Sequence, residues 1–137
     1  MRAHNSCGLI GRDMERIIAG ILILVGALNL YPVVGVLSAK TLSNLYLIDV
    51  QDNDLLVLLK HRAVLFGLLG GFIIYSAFKP ELQWWAVIIG LISMLSFVVI
   101  ALLVGDYGAG IRKVVVADII ASIGLLVVMG FRWFVLR

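Results

Sequence analysis

Ionisable residues lie inside two long apolar stretches of this sequence: Lys60, His61 and Arg62 in one, and Asp118 in the other. An ionisable group near the centre of a membrane-spanning helix costs about 2.5–3.5 kcal/mol, so such groups pair with one another or have a task. Two kinds of chemistry follow from these residue types. Arg62 and Asp118 could form an ion pair, or His61 and Asp118 could transfer a proton.

Four apolar runs contain these residues or flank them, at about 17–37, 55–78, 82–104 and 114–134. A helix needs roughly 20 apolar residues to cross the hydrocarbon core, and each run has that length. Only 14% of the residues are charged, whereas a soluble domain carries about 25%. We therefore predict an all-α integral membrane protein, folded as an antiparallel four-helix bundle.

The longest connection, residues 38–54, joins the first two spans and carries apolar residues at helical spacing. This pattern predicts a short interfacial helix between spans 1 and 2. Asp52, Asn53 and Asp54 then supply N-caps for the second span. We divide the chain into a disordered or short leader, 1–13, and one four-span domain, 14–137, with Met14 as an alternative start to Met1.

The basic residues are distributed unequally between the two sides that four spans define. One side holds both termini and the turn at 79–81, with the basic residues Arg2, Arg12, Arg16, Lys79, Arg132 and Arg137. The other side has fewer basic residues in its loops, which are Lys40, Arg112 and Lys113, and it has the acidic residues Asp49, Asp52, Asp54 and Asp106. Because short cytoplasmic loops are enriched in Lys and Arg, we predict that both termini are cytoplasmic.

Each span places a polar residue at a similar depth in the outer leaflet. A helix rises about 1.5 Å per residue, which puts Arg62 roughly 12 Å and Asp118 roughly 9 Å below the outer ends of their spans. We predict an Arg62–Asp118 ion pair within a polar layer that forms the candidate site: Asn29, His61, Arg62, Ser96, Asp118 and Ser122. Three interpretations stay open, namely a structural ion pair, a binding site for a polar head group or small anion, and proton or ion transfer.

Several site classes lack their residue patterns here. His4 and His61 are far apart, and no paired His, Cys or Glu spacing indicates a metal or haem site. No serine-nucleophile motif is present, and the basic residues lack the aromatic interleaving of a nucleic-acid surface. We expect no metal, no cofactor and no nucleic-acid partner, and the single cysteine, Cys7, excludes an internal disulfide.

Three segments resemble small four-helix bacterial membrane proteins of the DoxX-like type: 31–37 (YPVVGVL), 42–46 (LSNLY) and 59–67 (LKHRAVLFG). The resemblance spans most of residues 14–135 and includes the Arg62-Ala63 pair that enters a glycine-bearing second helix. It implies an antiparallel four-helix fold in a bacterial inner membrane. Some members of the family are linked to quinone or thiol redox systems.

Relatives of this kind also carry the label phosphopantetheine adenylyltransferase. That enzyme family is soluble and α/β, with a (T/H)xGH phosphate-binding motif. This chain has neither the motif nor alternating strands and helices. We therefore interpret that label as a misassignment.

The leading interpretation is a non-catalytic inner-membrane accessory or binding protein with a small amphipathic pocket in the outer leaflet. The alternative is a membrane redox or transport component that handles a quinone-like or lipid-like ligand. An intramembrane isomerase-like enzyme ranks third, because it needs at least two titratable groups around one cavity. Expected partners are the lipid bilayer, a lipid or quinone-like ligand, and a second copy of the chain or a larger membrane complex.

Overall fold

The computed structural model describes residues 3–37, 39–47 and 52–135, with side chains left out at 3–10, 35, 37, 39, 42, 45, 46 and 135. Throughout these residues the regular structure is helical. The five α-helices are α1 (Ala3–Leu30), α2 (Ala39–Tyr46), α3 (Asn53–Ala77), α4 (Gln83–Val104) and α5 (Ala109–Val135). Two 3₁₀ segments, Tyr31–Leu37 and Pro80–Leu82, follow α1 and precede α4.

Four helical segments are long and apolar enough to cross a membrane: Gly11–Val34, Asn53–Ala77, Pro80–Val104 and Ala109–Phe134. This confirms the prediction of an all-helical chain with four candidate spans. Helix α1 begins at Ala3, inside the segment that the sequence assigns to a leader. The domain boundary at residue 14 stays a prediction.

The first span changes its helical type at Tyr31-Pro32. Helix α1 ends at Leu30, and a 3₁₀ helix takes the chain from Tyr31 to Leu37. Proline has no backbone N–H and its ring clashes with the carbonyl four residues earlier, so Pro32 ends the α-helical bonding pattern. The first candidate span therefore changes from an α-helix to the tighter 3₁₀ helix before it ends.

The four long helices contact one another in a closed ring, α1 with α3, α3 with α4, α4 with α5 and α5 with α1. The buried centre has contributions from all four, including Leu22 of α1, Ile73 of α3, Met94 of α4 and Leu125 of α5. The opposite faces are apolar and exposed, as Leu103 shows with 81% exposure. Apolar residues all round a helix are typical of a membrane span.

Helices α1 and α3 approach each other closely where two glycines meet. A Cβ atom built on Gly70 would lie 2.6 Å from the carbonyl oxygen of Gly26, and one built on Gly26 would lie 2.8 Å from the carbonyl oxygen of Gly70. Real Cβ atoms do not come this close to backbone. Small residues therefore fix the α1–α3 distance, as in other membrane helix pairs.

Asp52 is the N-cap of α3, one of the three caps that the sequence offered. Its side chain accepts a hydrogen bond from the backbone N–H of Asp54 at 2.9 Å. At the other end of α3, the chain turns through Phe78 and Lys79 into the 3₁₀ segment Pro80–Leu82. Arg132 of α5 reaches this turn and donates a hydrogen bond to the carbonyl oxygen of Pro80 at 3.3 Å.

Candidate functional site

A cavity of about 340 Å³ lies between α1 and α5 and is bounded by α2 and the 3₁₀ segment after α1. Its walls combine apolar and polar residues, which are Leu28, Asn29, Tyr31, Pro32, Asn44, Phe66, Gly110, Lys113, Val114, Ala117, Asp118 and Ala121. Ligand pockets in proteins are mostly apolar with a few placed polar groups, and they begin at about 300 Å³. The cavity between α1 and α5 has both the mixed lining and the volume of a ligand pocket.

Asn29 lies at the end of α1 and is 6% exposed. Its side-chain Nδ2 donates to the carbonyl oxygen of Val25, one turn earlier, at 3.0 Å. This bond fixes the orientation of the side chain, since an amide with one bonded donor no longer rotates freely. Asn29 is therefore a positioned polar group in the cavity wall.

Asp118 lies within α5 on the opposite wall. Its Oδ2 atom is buried and has no hydrogen-bond partner within the described part of the chain. A carboxylate in an apolar environment is costly unless donors or an opposite charge compensate it. Asp118 is thus the group in this cavity that gains most from a ligand with N–H or O–H donors.

The structure does not support the predicted direct ion pair between Arg62 and Asp118. Among the described side chains, the ion pair within 4.0 Å joins Arg16 to Asp13 instead. The Arg62 guanidinium carbon lies 4.9 Å from the centre of the Phe66 ring and 4.1 Å from that of Phe97. The Arg62 guanidinium thus lies against two aromatic faces, which attract cations.

A second cavity, of about 240 Å³, lies between α3 and α4 and contains Arg62. Ser96 also lines it, with Phe97 and Ile100 from the same helix. The Ser96 hydroxyl donates to the carbonyl oxygen of Ser93 at 2.9 Å, a local bond within α4. Phe66 lines both cavities, so its ring belongs to the wall that they share.

The six residues of the predicted layer therefore do not form one site. Asn29 and Asp118 meet in the first cavity, while Arg62 and Ser96 lie in the second. His61 is exposed and lines neither of these two cavities, since it is next to Arg62 on α3 and points elsewhere. Ser122 is 4% exposed, lines neither cavity, and has a buried hydroxyl that finds no partner among the described residues.

The sequence reasoning did not assign Lys113 or Asn44 to the site. Lys113 was assigned to the outer loops, although it lies only five residues before Asp118 on the same helix. Asn44 belongs to α2, whose amphipathic pattern indicated a helix and not which side chain meets the cavity. The depth of a residue along its own span does not show which other helices lie beside it. The position of α2 and the start of α5 at one end of the cavity could therefore not be predicted.

No three His, Cys, Asp or Glu side chains cluster closely enough to hold a metal ion within residues 3–37, 39–47 and 52–135. The expected absence of a metal or cofactor stays a prediction. Comparison with protein-family models, curated proteins and solved structures gives no match for this chain. The resemblance to DoxX-like proteins therefore stays a prediction too.

Proposed function

We propose that this chain is a non-catalytic binding protein of the bacterial inner membrane, with a cavity that takes one amphipathic ligand from the outer leaflet. The observation that carries the proposal is the cavity between α1 and α5. It combines apolar walls with Asn29, Asn44, Lys113 and Asp118. A ligand with a polar head and an apolar tail matches both kinds of surface.

An antiparallel four-helix bundle is part of the proposal, and the contacts between helices support it. Residue numbers rise along α1 and the 3₁₀ segment after it while they fall along α3, since Gly26 meets Ile74 and Val33 meets Gly67. The same opposite order relates α1 to α5, where Gly124 lies against Ile21 and Val25 in one region. In the other region, Asn29 and Asp118 line one cavity.

Both termini on the cytoplasmic side are also proposed. The hydrogen bond from Arg132 to Pro80 brings the end of α5 to the turn between α3 and α4. That end of the molecule carries Lys79 and Arg132, as cytoplasmic ends do. The cavity lies toward the other end, at the start of α5, and therefore in the outer leaflet.

Helix α2 acts in this proposal as an interfacial cover for the cavity. It contacts α5 and the 3₁₀ segment Tyr31–Leu37, and its Asn44 lines the cavity. Its amphipathic sequence suits a helix that lies in the membrane interface. A ligand would then enter sideways from the lipid, between α1 and α5.

Binding fits the cavity better than proton transfer does. Proton transfer through His61 and Asp118 was one of the three open interpretations, but His61 is exposed and lies outside the cavity that contains Asp118. A general acid or base must lie within hydrogen-bond reach of the group that it serves. Asp118 therefore lacks the histidine partner that the proton-transfer interpretation required.

Filling the cavity tests this function. Ala117 lines the cavity, so Ala117→Phe should place a ring in the ligand volume. Ala27 is an exposed residue of α1 outside the cavity wall, so Ala27→Phe is the matched control. Native mass spectrometry from a mild detergent should show a bound amphiphile on the wild type and on Ala27→Phe. Equal retention by Ala117→Phe would contradict the proposal.

A further inference from the structure

We propose that the ligand is a phospholipid whose head group carries both a phosphate and a primary amine, with the phosphate at Lys113 and the amine at Asp118. This inference rests on the proposed function and names its ligand class. Two opposite charges in the cavity wall, the buried carboxylate oxygen of Asp118 and the volume of the cavity support it.

The two charged side chains in the cavity wall have opposite signs. Lys113 and Asp118 are five residues apart on α5, which corresponds to about 7.5 Å along the helix axis. Lys113 lies nearer to the start of α5 at Ala109, and Gly110 of its first turn also lines the cavity. The first turn of a helix offers backbone N–H groups and a positive dipole end, which favour phosphate.

Asp118 favours a group that donates hydrogen bonds. The positive charge of Lys113 in the same wall reduces the negative potential that Asp118 gives the cavity. The charge of Asp118 alone therefore discriminates poorly between one cationic head group and another. A primary ammonium has three N–H donors, as the lysine side chain does, whereas a quaternary ammonium has none. Hydrogen bonding to Asp118 therefore favours a primary ammonium head group over a quaternary one.

The cavity suits a head group and leaves the acyl chains in the bilayer. Its volume of about 340 Å³ is at the lower end of the range for ligand pockets, roughly 300–1,000 Å³. Leu28 in its wall is 49% exposed, and Leu24, one turn further along the same face of α1, is 68% exposed. An acyl chain that leaves the cavity beside Leu28 can continue along this apolar surface.

Lipid competition tests the inference. Purified protein in mild detergent is mixed with equal amounts of phosphatidylethanolamine, phosphatidylcholine and phosphatidylglycerol of identical acyl chains, and bound lipid is measured by native mass spectrometry. We expect the wild type to prefer phosphatidylethanolamine by about tenfold, since hydrogen bonds to a charged group contribute that much. Equal binding of the three lipids would overturn the head-group assignment.

Charge-removing variants locate the selectivity. Asp118→Asn should lose the preference for phosphatidylethanolamine over phosphatidylcholine and still bind lipid, while Lys113→Gln should weaken all three phospholipids. The controls are Asp106→Asn and Lys40→Gln, which remove exposed charges outside the cavity wall and should change neither property. An unchanged preference in Asp118→Asn would contradict the assignment of the amine. If Asp118→Asn fails to fold, the lipid competition with the wild type tests the head-group assignment instead.

Two further outcomes separate the inference from the proposed function. If the wild type binds the three lipids equally and Ala117→Phe binds none, the cavity binds amphiphiles and only the head-group assignment is wrong. If neither protein retains any amphiphile, both proposals are wrong. Free phosphoethanolamine should not displace the lipid at equal concentration, because it lacks acyl chains, and displacement would identify a soluble ligand instead.

Discussion

The guanidinium carbon of Arg62 lies 4.1 Å from the centre of the Phe97 ring, which belongs to the neighbouring helix α4. Phe66, one turn along α3, presents a second ring to the same guanidinium at 4.9 Å. Aromatic faces attract cations, and more so in apolar surroundings. These contacts place Arg62 between α3 and α4, while Asp118 faces the cavity between α1 and α5.

Phe97→Leu should lower the stability of the protein in detergent by about 1–2 kcal/mol, because it removes a ring face from a poorly solvated cation. The matched control is Phe134→Leu, at a ring that is 72% exposed. In a double-mutant cycle with Arg62→Met, the coupling energy should be about 0.5–2 kcal/mol. Additive effects of the two substitutions would show that the stacking does not stabilise the fold.

Asp118→Asn should leave the thermal stability nearly unchanged, within about 1 kcal/mol. Breaking a buried ion pair typically costs about 3–5 kcal/mol. The charged atoms of Arg62 and Asp118, however, do not come within the 4.0 Å of such a pair. Thermal unfolding in detergent measures the difference. A loss of several kcal/mol would show that the pair is structural, as the sequence first suggested.

Gly70→Ala should destabilise the protein by about 1–3 kcal/mol, the usual cost of overpacking. The added methyl group would lie 2.6 Å from the Gly26 carbonyl oxygen, so the α1 and α3 backbones would have to separate. Gly71→Ala is the matched control at the next residue, where a Cβ meets nothing within 4 Å. Its stability should stay the same or rise by up to about 1 kcal/mol from helix propensity.

The two glycine variants are compared by thermal unfolding in the same detergent. Equal stability of Gly70→Ala and Gly71→Ala would mean that α1 and α3 do not touch at Gly26 and Gly70. A loss that is confined to Gly71→Ala would instead place the contact on the other side of α3.

Cysteine labelling tests the proposed orientation. Cys7 is the single cysteine of the chain, and with a cytoplasmic N-terminus it should react with a membrane-impermeant maleimide only after permeabilisation. The control is Ala109→Cys in a Cys7→Ser background, at an exposed residue that begins α5. This residue should react in intact cells. Labelling of Cys7 in intact cells would reverse the orientation and move the cavity to the inner leaflet.

The four candidate spans could be predicted from the sequence because length and hydropathy fix them almost alone. Asp52 as the N-cap of α3 was also predictable, since the capping preference is local. The end of α1 at Leu30 was harder to predict. Pro32 indicates a disturbance of the helix but does not say whether a kinked α-helix or a 3₁₀ segment follows.

The candidate site could be predicted only in part. Asn29 and Asp118, which the sequence places at similar depth along their helices, line the same cavity. Rotation about each helix axis decides which cavity a side chain enters, and the apolar residues all round these spans give no rotational signal. Arg62 and Asp118 consequently line different cavities.

The most direct test of the binding cavity is an experimental density map of the protein in a lipid nanodisc that contains phosphatidylethanolamine. We predict density for one lipid between α1 and α5, with its head group between Lys113 and Asp118 and its chains beside Leu28. A map in which the walls close on one another between Ala117 and Asn29, without lipid density, would contradict the account.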